Sequence, residues 1–264
     1  MGDRVVAIIQ ARTGSTRLPG KVLLPLGGRT VLERMLERVM RARLLDDVIV
    51  ATTILPADNA IVDLASAMGV SCYRGHPTDL LDRHVHAAAA ARASHIVKIP
   101  SDCPLIDPKI VDAVVLAYLG VAGAVSYASN LHPATYPDGN DVEIMSRTAL
   151  EHAWHEARVP SEREHTTPFI WTQPDRFRMI NVRWDTGRNA ASTHRYVLDY
   201  QDDYLAIAAI FDALYSRDPE FGVEAITTFL DTHPEIAAVN SRRRGMQSRE
   251  VPFDIRQPLT GSAA

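Results

Sequence analysis

The sequence predicts a doubly wound, mostly parallel α/β sheet followed by a looser α+β portion, on three observations. Short β-branched runs alternate with amphipathic segments as far as about residue 123. The first run, at residues 5–9, is apolar at every position, as a strand covered on both faces must be. It opens directly into a polar, glycine-bearing segment, the composition of a functional loop at a strand end.

The elements follow in order. After that loop, Thr30 and Glu33 form a capping box, and Leu32, Met35, Leu36, Val39 and Arg43 continue at helical spacing. Residues 48–54 read as a strand, 58–68 as a helix, 70–73 as a strand and 78–93 as an alanine-rich helix. A strand at 95–99 precedes a helix at 108–119, with Asp107 as N-cap and Pro108 in the first turn. Beyond residue 123 the expected strands are 125–128, 142–145, 178–184 and 195–198, separated by Pro- and Gly-bearing turns. Helical periodicity returns at 202–215 and 225–230. No internal repeat is present. The organisation expected is one domain over residues 1–240 and a poorly ordered tail over 241–264, with Arg242, Arg243 and Arg244 read as a solvated helix end.

Composition narrows the function. The 264 residues are 46% hydrophobic and 23% charged, which excludes wholesale disorder and fibrous architectures. Lys and Arg number 28 against 32 Asp and Glu, so the surface carries no overall basic field and a nucleic-acid partner is not expected. Two cysteines cannot build a disulfide framework or a four-thiolate metal site, which suits a reducing cytoplasm. The apolar stretches are too short for a bilayer, so neither membrane insertion nor export is expected.

The segment QARTGSTRLPGK at residues 10–21 is the most informative. It sets Arg12, Arg17 and Lys21 around Gly14, Ser15 and Gly20, and three cations on one short loop repel one another unless an anion neutralises them. A phosphate-rich ligand satisfies that need, the alternative being a basic surface loop. Five residues separate Gly14 from Gly20 and Val22 follows Lys21, so this is not a Walker A loop, and the three-glycine dinucleotide fingerprint is absent as well. Asp102 follows the expected strand at 95–99 and Asp199 the one at 195–198, so both carboxylates suit the carboxyl edge of one sheet. Their hard oxygens suit Mg²⁺, although turn or cap duty explains such residues equally well. Alternation of Val142 and Ile144 sets Asp141 and Glu143 together on the opposite strand face. Thr52, Thr53, Asp79 and Arg83, after early strands or at a helix start, are candidates for surrounding a nucleotide's base and ribose, or else ordinary caps. His84 with His86, and His152 with His155, lack a third ligand for zinc, and Cys103 has no base beside it and reads as a packing residue.

The run QARTGSTRLPGK resembles the N-terminal signature of the CTP-dependent cytidylyltransferases that include CMP-Kdo and CMP-sialate synthetases, above all their spore-coat polysaccharide branch. Similar landmarks recur in order as IPSDCPLID at 99–107, YPDGNDVEI at 136–144, SEREHTTPFI at 161–170 and VLDYQDDYLAI at 197–207. The resemblance implies a Rossmann-like nucleotidyltransferase sheet whose α+β portion serves substrate binding and dimerisation. It implies that Arg12, Gly14, Ser15, Arg17 and Lys21 wrap the triphosphate of CTP, that Asp102 and Asp199 hold Mg²⁺, and that Asp203 is a helix cap or supporting residue. Arg12, Lys21 and Asp102 become the expected catalytic residues. A small acidic acceptor is implied in a pocket with Tyr136, Asp138, Asn140 and Glu143, and with Arg163 and His165 at a helix start. Relatives are commonly dimers, which implies a homodimer. Lys98 and Pro100 stand where that branch tends to carry Arg and Thr, so the acceptor is open among acidic sugars, sugar phosphates and phosphonates. The rival reading is a glycosyltransferase-like protein that uses an already activated sugar nucleotide.

Overall fold

The computed structural model describes residues 3–245. Its first strand, β1 (Val5–Gln10), is buried along nearly its whole length. Val5, Ala7 and Ile9 point into one hydrophobic core and Val6 and Ile8 into another, so the period-two geometry of a single strand divides the molecule into two packed layers. A 3₁₀ turn at Lys21–Leu23 and a small hairpin of β2 (Pro25–Leu26) and β3 (Arg29–Thr30) follow the loop after β1. Helix α1 (Val31–Val39) begins at the expected capping box, Thr30 Oγ1 accepting from Glu33 N at 3.2 Å and Glu33 Oε2 accepting from Thr30 N at 2.6 Å. Next come β4 (Asp47–Thr53), α2 (Asn59–Ala67), β5 (Ser71–Gly75), α3 (Leu80–Ala90), β6 (His95–Pro100) and α4 (Pro108–Leu119). Asp107 caps α4 as expected, through Lys109 N at 2.9 Å.

The second half differs more from expectation. Its strands are β7 (Tyr127–Ser129), β8 (Glu143–Ser146) and β9 (Met179–Asn181), shorter than or offset from the runs at 125–128, 142–145 and 178–184. Residues 195–198 are not a strand: they make one isolated bridge, Asp138 with Arg195, because their backbone bonds are divided between Asp138 and Asp102. Three helices, α5 (Arg147–Glu156), α6 (Pro160–His165) and α7 (Pro168–Trp171), occupy a stretch for which only a helix start at Arg163 was expected. Helices α8 (Gln201–Tyr215), α9 (Val223–Thr232) and α10 (Pro234–Ala238) complete the chain before a 3₁₀ turn at Ser241–Arg243, so the segment expected as a tail begins in ordered structure; residues 246–264 lie outside the described residues.

The main sheet has seven strands in the order β5-β4-β1-β6-β8-β7-β9, all parallel except β8. This is the mostly parallel α/β architecture the sequence predicts. The chain winds outward on one side of β1 through β4 and β5, then crosses to β6 on the other side, which makes the carboxyl ends of β1 and β6 a topological switch point. Side chains of α1 and α4 fill the core on one face, and those of α3, α5 and α7 fill the other. A third cluster joins α8 and α9 to Leu26, Leu105, Tyr196 and Leu198, holding the chain before α8 over the sheet edge. Gly139 is required there: its φ is +121°, and a Cβ would sit 2.8 Å from the Tyr196 ring.

Candidate active site

At the switch point lies a cavity of about 560 Å³. Gln10 and Ala11 from the end of β1, and Pro100, Ser101 and Asp102 from the end of β6, form its floor. The loop after β1 supplies Arg12, Ser15, Thr16, Arg17 and Lys21, and α3 supplies Leu80 and Arg83. The loop is closed by its own backbone, since Thr13 O accepts from Ser15 N and Gly20 N, both at 2.9 Å, and Gly20 takes φ 67° at the turn back toward Lys21. Its base is clamped by Asp58, buried just before α2, whose Oδ1 accepts from Thr13 N and Thr13 Oγ1, both at 2.7 Å, while its other oxygen accepts from the Thr53 hydroxyl. Burial opposes the Asp58 charge, but the Thr53 and Thr13 bonds hold its carboxyl below the ordinary aspartate value.

Lys21 stands opposite two carboxylates. Its Nζ donates to Leu198 O at 2.6 Å, to Asp199 Oδ1 at 3.1 Å and to Asp102 Oδ2 at 3.4 Å. Burial alone would lower the Lys21 pKa; Asp102 and Asp199 overcome it and raise the value above normal. Arg17 Nη2 also reaches Asp199 Oδ1, at 2.8 Å. Deeper in, Arg83 is only 1% exposed, and its pKa is pulled down to about 10, first by burial and then by the charge of Arg12. Its Nε is buried without a hydrogen-bond partner. Four cations, Arg12, Arg17, Lys21 and Arg83, line this wall with two carboxylates, Asp102 and Asp199, an arrangement for a polyanion with a divalent cation. Among the described residues no group of three or more His, Cys, Asp or Glu gathers to hold a metal by protein ligands alone. Two carboxylates at one cation-lined edge fit Mg²⁺, which takes few protein ligands and completes its octahedron with phosphate oxygens and water.

The other wall carries Asp138, Asp141, Glu164, His165 and Arg195. Arg195 is a hub that the sequence reading took only as a strand residue: Nη1 pairs with Asp138 at 2.7 Å, Nε with Asp203 at 2.9 Å, and Nη2 lies 3.5 Å from Asp199. Burial and the charge of Asp141 raise the Asp138 pKa despite the Arg195 contact. Asp203 also accepts from the backbone N–H groups of Asp199 and Tyr200, both at 3.0 Å, so it fixes the segment that bears Asp199. The repeat of Arg195, Asp199 and Asp203 at intervals of four was the available signal for this hub.

Of the expected residues, Arg12, Ser15, Arg17, Lys21, Arg83, Asp102, Asp138, His165 and Asp199 line the cavity, and the rest do not. Gly14 shapes the loop without lining the cavity, and Thr53 serves Asp58. Thr52 is fully buried, with a hydroxyl that has no partner. Asp79 caps α3 through Asp82 N at 2.9 Å and pairs with Arg163 at 2.5 Å. Arg163 also donates to Trp154 O and Ala157 O at the end of α5, which uses it as a fastener of helices rather than a clamp on a ligand. Arg163 and His165 lie at the end of α6, not at a helix start, because Pro160 opens the helix early and Thr166, at φ 71°, stops it. Tyr136 packs on Trp184 with ring centroids 5.8 Å apart. Asn140 ties Asp107 N to the Tyr196 hydroxyl inside the protein. Glu143 does not share a cavity face with Asp141: it is buried against Lys98, Tyr127 and Thr167, its register partner across the sheet being Lys98.

The cytidylyltransferase family model matches residues 6–221. A Methanocaldococcus jannaschii protein, MJ1063, named as uncharacterized, is 37% identical over 251 residues, which cover 94% of this chain and 99% of that one. The spore coat polysaccharide biosynthesis protein SpsF of Bacillus subtilis is 29% identical over 238 residues, covering 88% of this chain and 96% of SpsF. The 3-deoxy-manno-octulosonate cytidylyltransferase of Trichlorobacter lovleyi is 37% identical over 123 residues, 46% of this chain and 47% of that enzyme. The structure of a cytidylyltransferase from Leptospira borgpetersenii superposes with a TM-score of 0.84 at 31% identity, covering 96% of this chain and 100% of that one. With the cationic loop, the paired aspartates and this match along nearly its whole described length, the chain belongs to the cytidylyltransferase family.

Proposed function

We propose that the protein transfers CMP from CTP to a small acidic acceptor, an acidic sugar first, with release of pyrophosphate. One observation carries the reading: Arg12, Arg17 and Lys21 line the same cavity as Asp102 and Asp199. An acceptor oxygen attacks the α-phosphorus, the bond to the β-phosphate oxygen breaks, and no covalent enzyme intermediate is needed. Arg12 and Lys21 stabilise charge at the α-phosphate and the departing pyrophosphate, and Arg17 holds the distal phosphates. Mg²⁺ on Asp102 and Asp199 supplies charge neutralisation when bound. Asp138, Asp141 and Glu164 accept from the hydroxyls of a sugar, while His165 faces its acid group. The SpsF and 3-deoxy-manno-octulosonate relatives support polysaccharide biosynthesis and an acidic sugar in particular. The reading includes action in the cytoplasm as a homodimer; among the described residues no helix is long and apolar enough to cross a membrane.

The test is a pyrophosphate-release screen crossing four nucleoside triphosphates with acidic sugars, sugar phosphates and phosphonates. Release with CTP and an acidic sugar, abolished by EDTA and restored by Mg²⁺, is expected. Release of a nucleoside mono- or diphosphate from a sugar nucleotide, with no pyrophosphate from any triphosphate, would replace the reading with glycosyl transfer.

A further inference from the structure

The basic triplet at 242–244 is not solvated throughout. Arg242 and Arg243 both pair with Asp202, their Nε atoms 3.0 and 3.3 Å from its Oδ2, but they differ in what else they touch. The Arg242 side chain is 73% exposed, whereas that of Arg243 is 23% exposed and its guanidinium carbon lies 3.6 Å from the centroid of the Tyr200 ring. That ring also carries Arg17, its guanidinium carbon 5.4 Å from the same centroid. Tyr200 immediately follows Asp199, the carboxylate on which Arg17 rests, and the backbone N–H groups of both residues are fixed by Asp203. A residue more than two hundred positions from the cationic loop is thereby joined to it through one aromatic ring.

We propose that Arg243 is a positioning residue of the polyphosphate site, acting through Tyr200 on Arg17. Arg17 has an exposed side chain and a single carboxylate contact, so on its own it has many rotamers to lose when it grips a phosphate. The Tyr200 ring restricts that freedom by offering a cation–π face beside Asp199, and Arg243, stacked closely and neutralised by Asp202, holds the ring in place. When a triphosphate enters, Arg17 exchanges Asp199 for a distal phosphate oxygen without leaving the ring. The ligand class is the distal phosphates of a nucleoside triphosphate, or free pyrophosphate, and the inference rests on the assignment of this cavity to CTP.

Equilibrium binding of CTP and of CMP in the presence of Mg²⁺, measured calorimetrically on the full chain, tests it without an acceptor. Arg243→Ala should weaken CTP roughly three- to tenfold and leave CMP, which lacks the distal phosphates, unchanged. Tyr200→Ala should reproduce that pattern. Arg17→Ala should weaken CTP at least as much, and the double variant Arg17→Ala with Arg243→Ala should be no weaker than Arg17→Ala alone, because the two act in series. Arg242→Ala should bind as wild type, and melting temperatures confirm that each variant is folded. Normal CTP binding by Arg243→Ala, equal losses for CTP and CMP, or additive losses with Arg17→Ala would each overturn the proposal while leaving the cavity assignment standing. A wild-type protein that binds no CTP would remove both.

Discussion

Replacing Lys21 by methionine keeps most of its apolar stem and removes its charge, and the consequences can be worked out from its three contacts. Asp199 and Asp102 lie 3.1 and 3.4 Å from the ammonium, and at an effective dielectric of about 20 each attraction is on the order of 5 kcal/mol before desolvation. Desolvation offsets much of this, yet the raised Lys21 pKa shows that attraction wins. Losing the shared cation leaves two carboxylates facing each other and the Leu198 carbonyl without its donor, so stability should fall by about 2–3 kcal/mol. The effect on turnover should be larger than any effect on substrate affinity. Removing a donor aimed at charge that develops in the transition state costs about 10²–10³ in kcat, while ground-state binding is shared with Arg12, Arg17 and Arg83. The assay is initial-rate pyrophosphate release with the acceptor found in the screen, paired with urea unfolding. With one cation fewer beside them, Asp102 and Asp199 should also bind Mn²⁺ more tightly in the nucleotide-free variant than in wild type. A variant whose kcat stays within about fivefold of wild type, with only the KM for CTP raised, would refute the catalytic role of Lys21.

Asp102→Asn should lose at least about a hundredfold in kcat and need far more Mg²⁺ for half-maximal rate, read from metal titrations at saturating CTP. Asp58→Asn should loosen the phosphate loop, raising the KM for CTP severalfold and lowering stability by about 2 kcal/mol, because Thr13 and Thr53 lose a charged acceptor. The folded Asp58 pKa lies below its unfolded value of 3.8, so wild type's advantage over this variant is complete above that pH and vanishes as pH falls through the folded value. Melting curves from pH 6 down to pH 2.5 check that sign. Lys98→Met should cost about 3–5 kcal/mol by removing the cation that faces buried Glu143 across the sheet, and adding Glu143→Leu should restore part of the loss in urea unfolding.

The parts of the molecule written in local chemistry were legible in the sequence. The β1 run, the Thr30–Glu33 capping box and the Asp107 cap each depend on residues within a few positions of one another, and each stands as expected. The gathering of Arg12, Arg17 and Lys21 at one cavity was legible for the same reason, since these cations crowd into twelve residues. What failed depended on distant partners. Residues 195–198 have a strand-like composition, but Tyr196 N bonds to Asp138 O and Leu198 N to Asp102 O, so the segment bridges two loops instead of pairing with a strand. Nothing near Arg195 in sequence announces that Asp138, 57 positions away, completes its hub. Glu143 was expected in the acceptor pocket because alternation sets it with Asp141 on one strand face and the resemblance implies it there, but its partner is Lys98 on the neighbouring strand. Helix α5 buries only Ala149, Leu150 and Ala153, too narrow an apolar stripe to stand out against its charged surface.

The reversal of β8 has a practical consequence. Parallel strands deliver their exits to the cavity edge, whereas a reversed strand delivers its entrance, so Asp138 and Asp141 reach the cavity before the chain enters β8. The half that carries the cationic loop is thus cast from strand ends whose alignment the core dictates, and the opposite half hangs from a lead-in segment held by its own ties, Asp138 to Arg195 and Asn140 to Asp107 N and the Tyr196 hydroxyl. Any exchange of the stretch from Asn130 to Asp141 between homologues must therefore keep Asp138, Gly139 and Asn140, whose partners lie in the segments before α4 and α8.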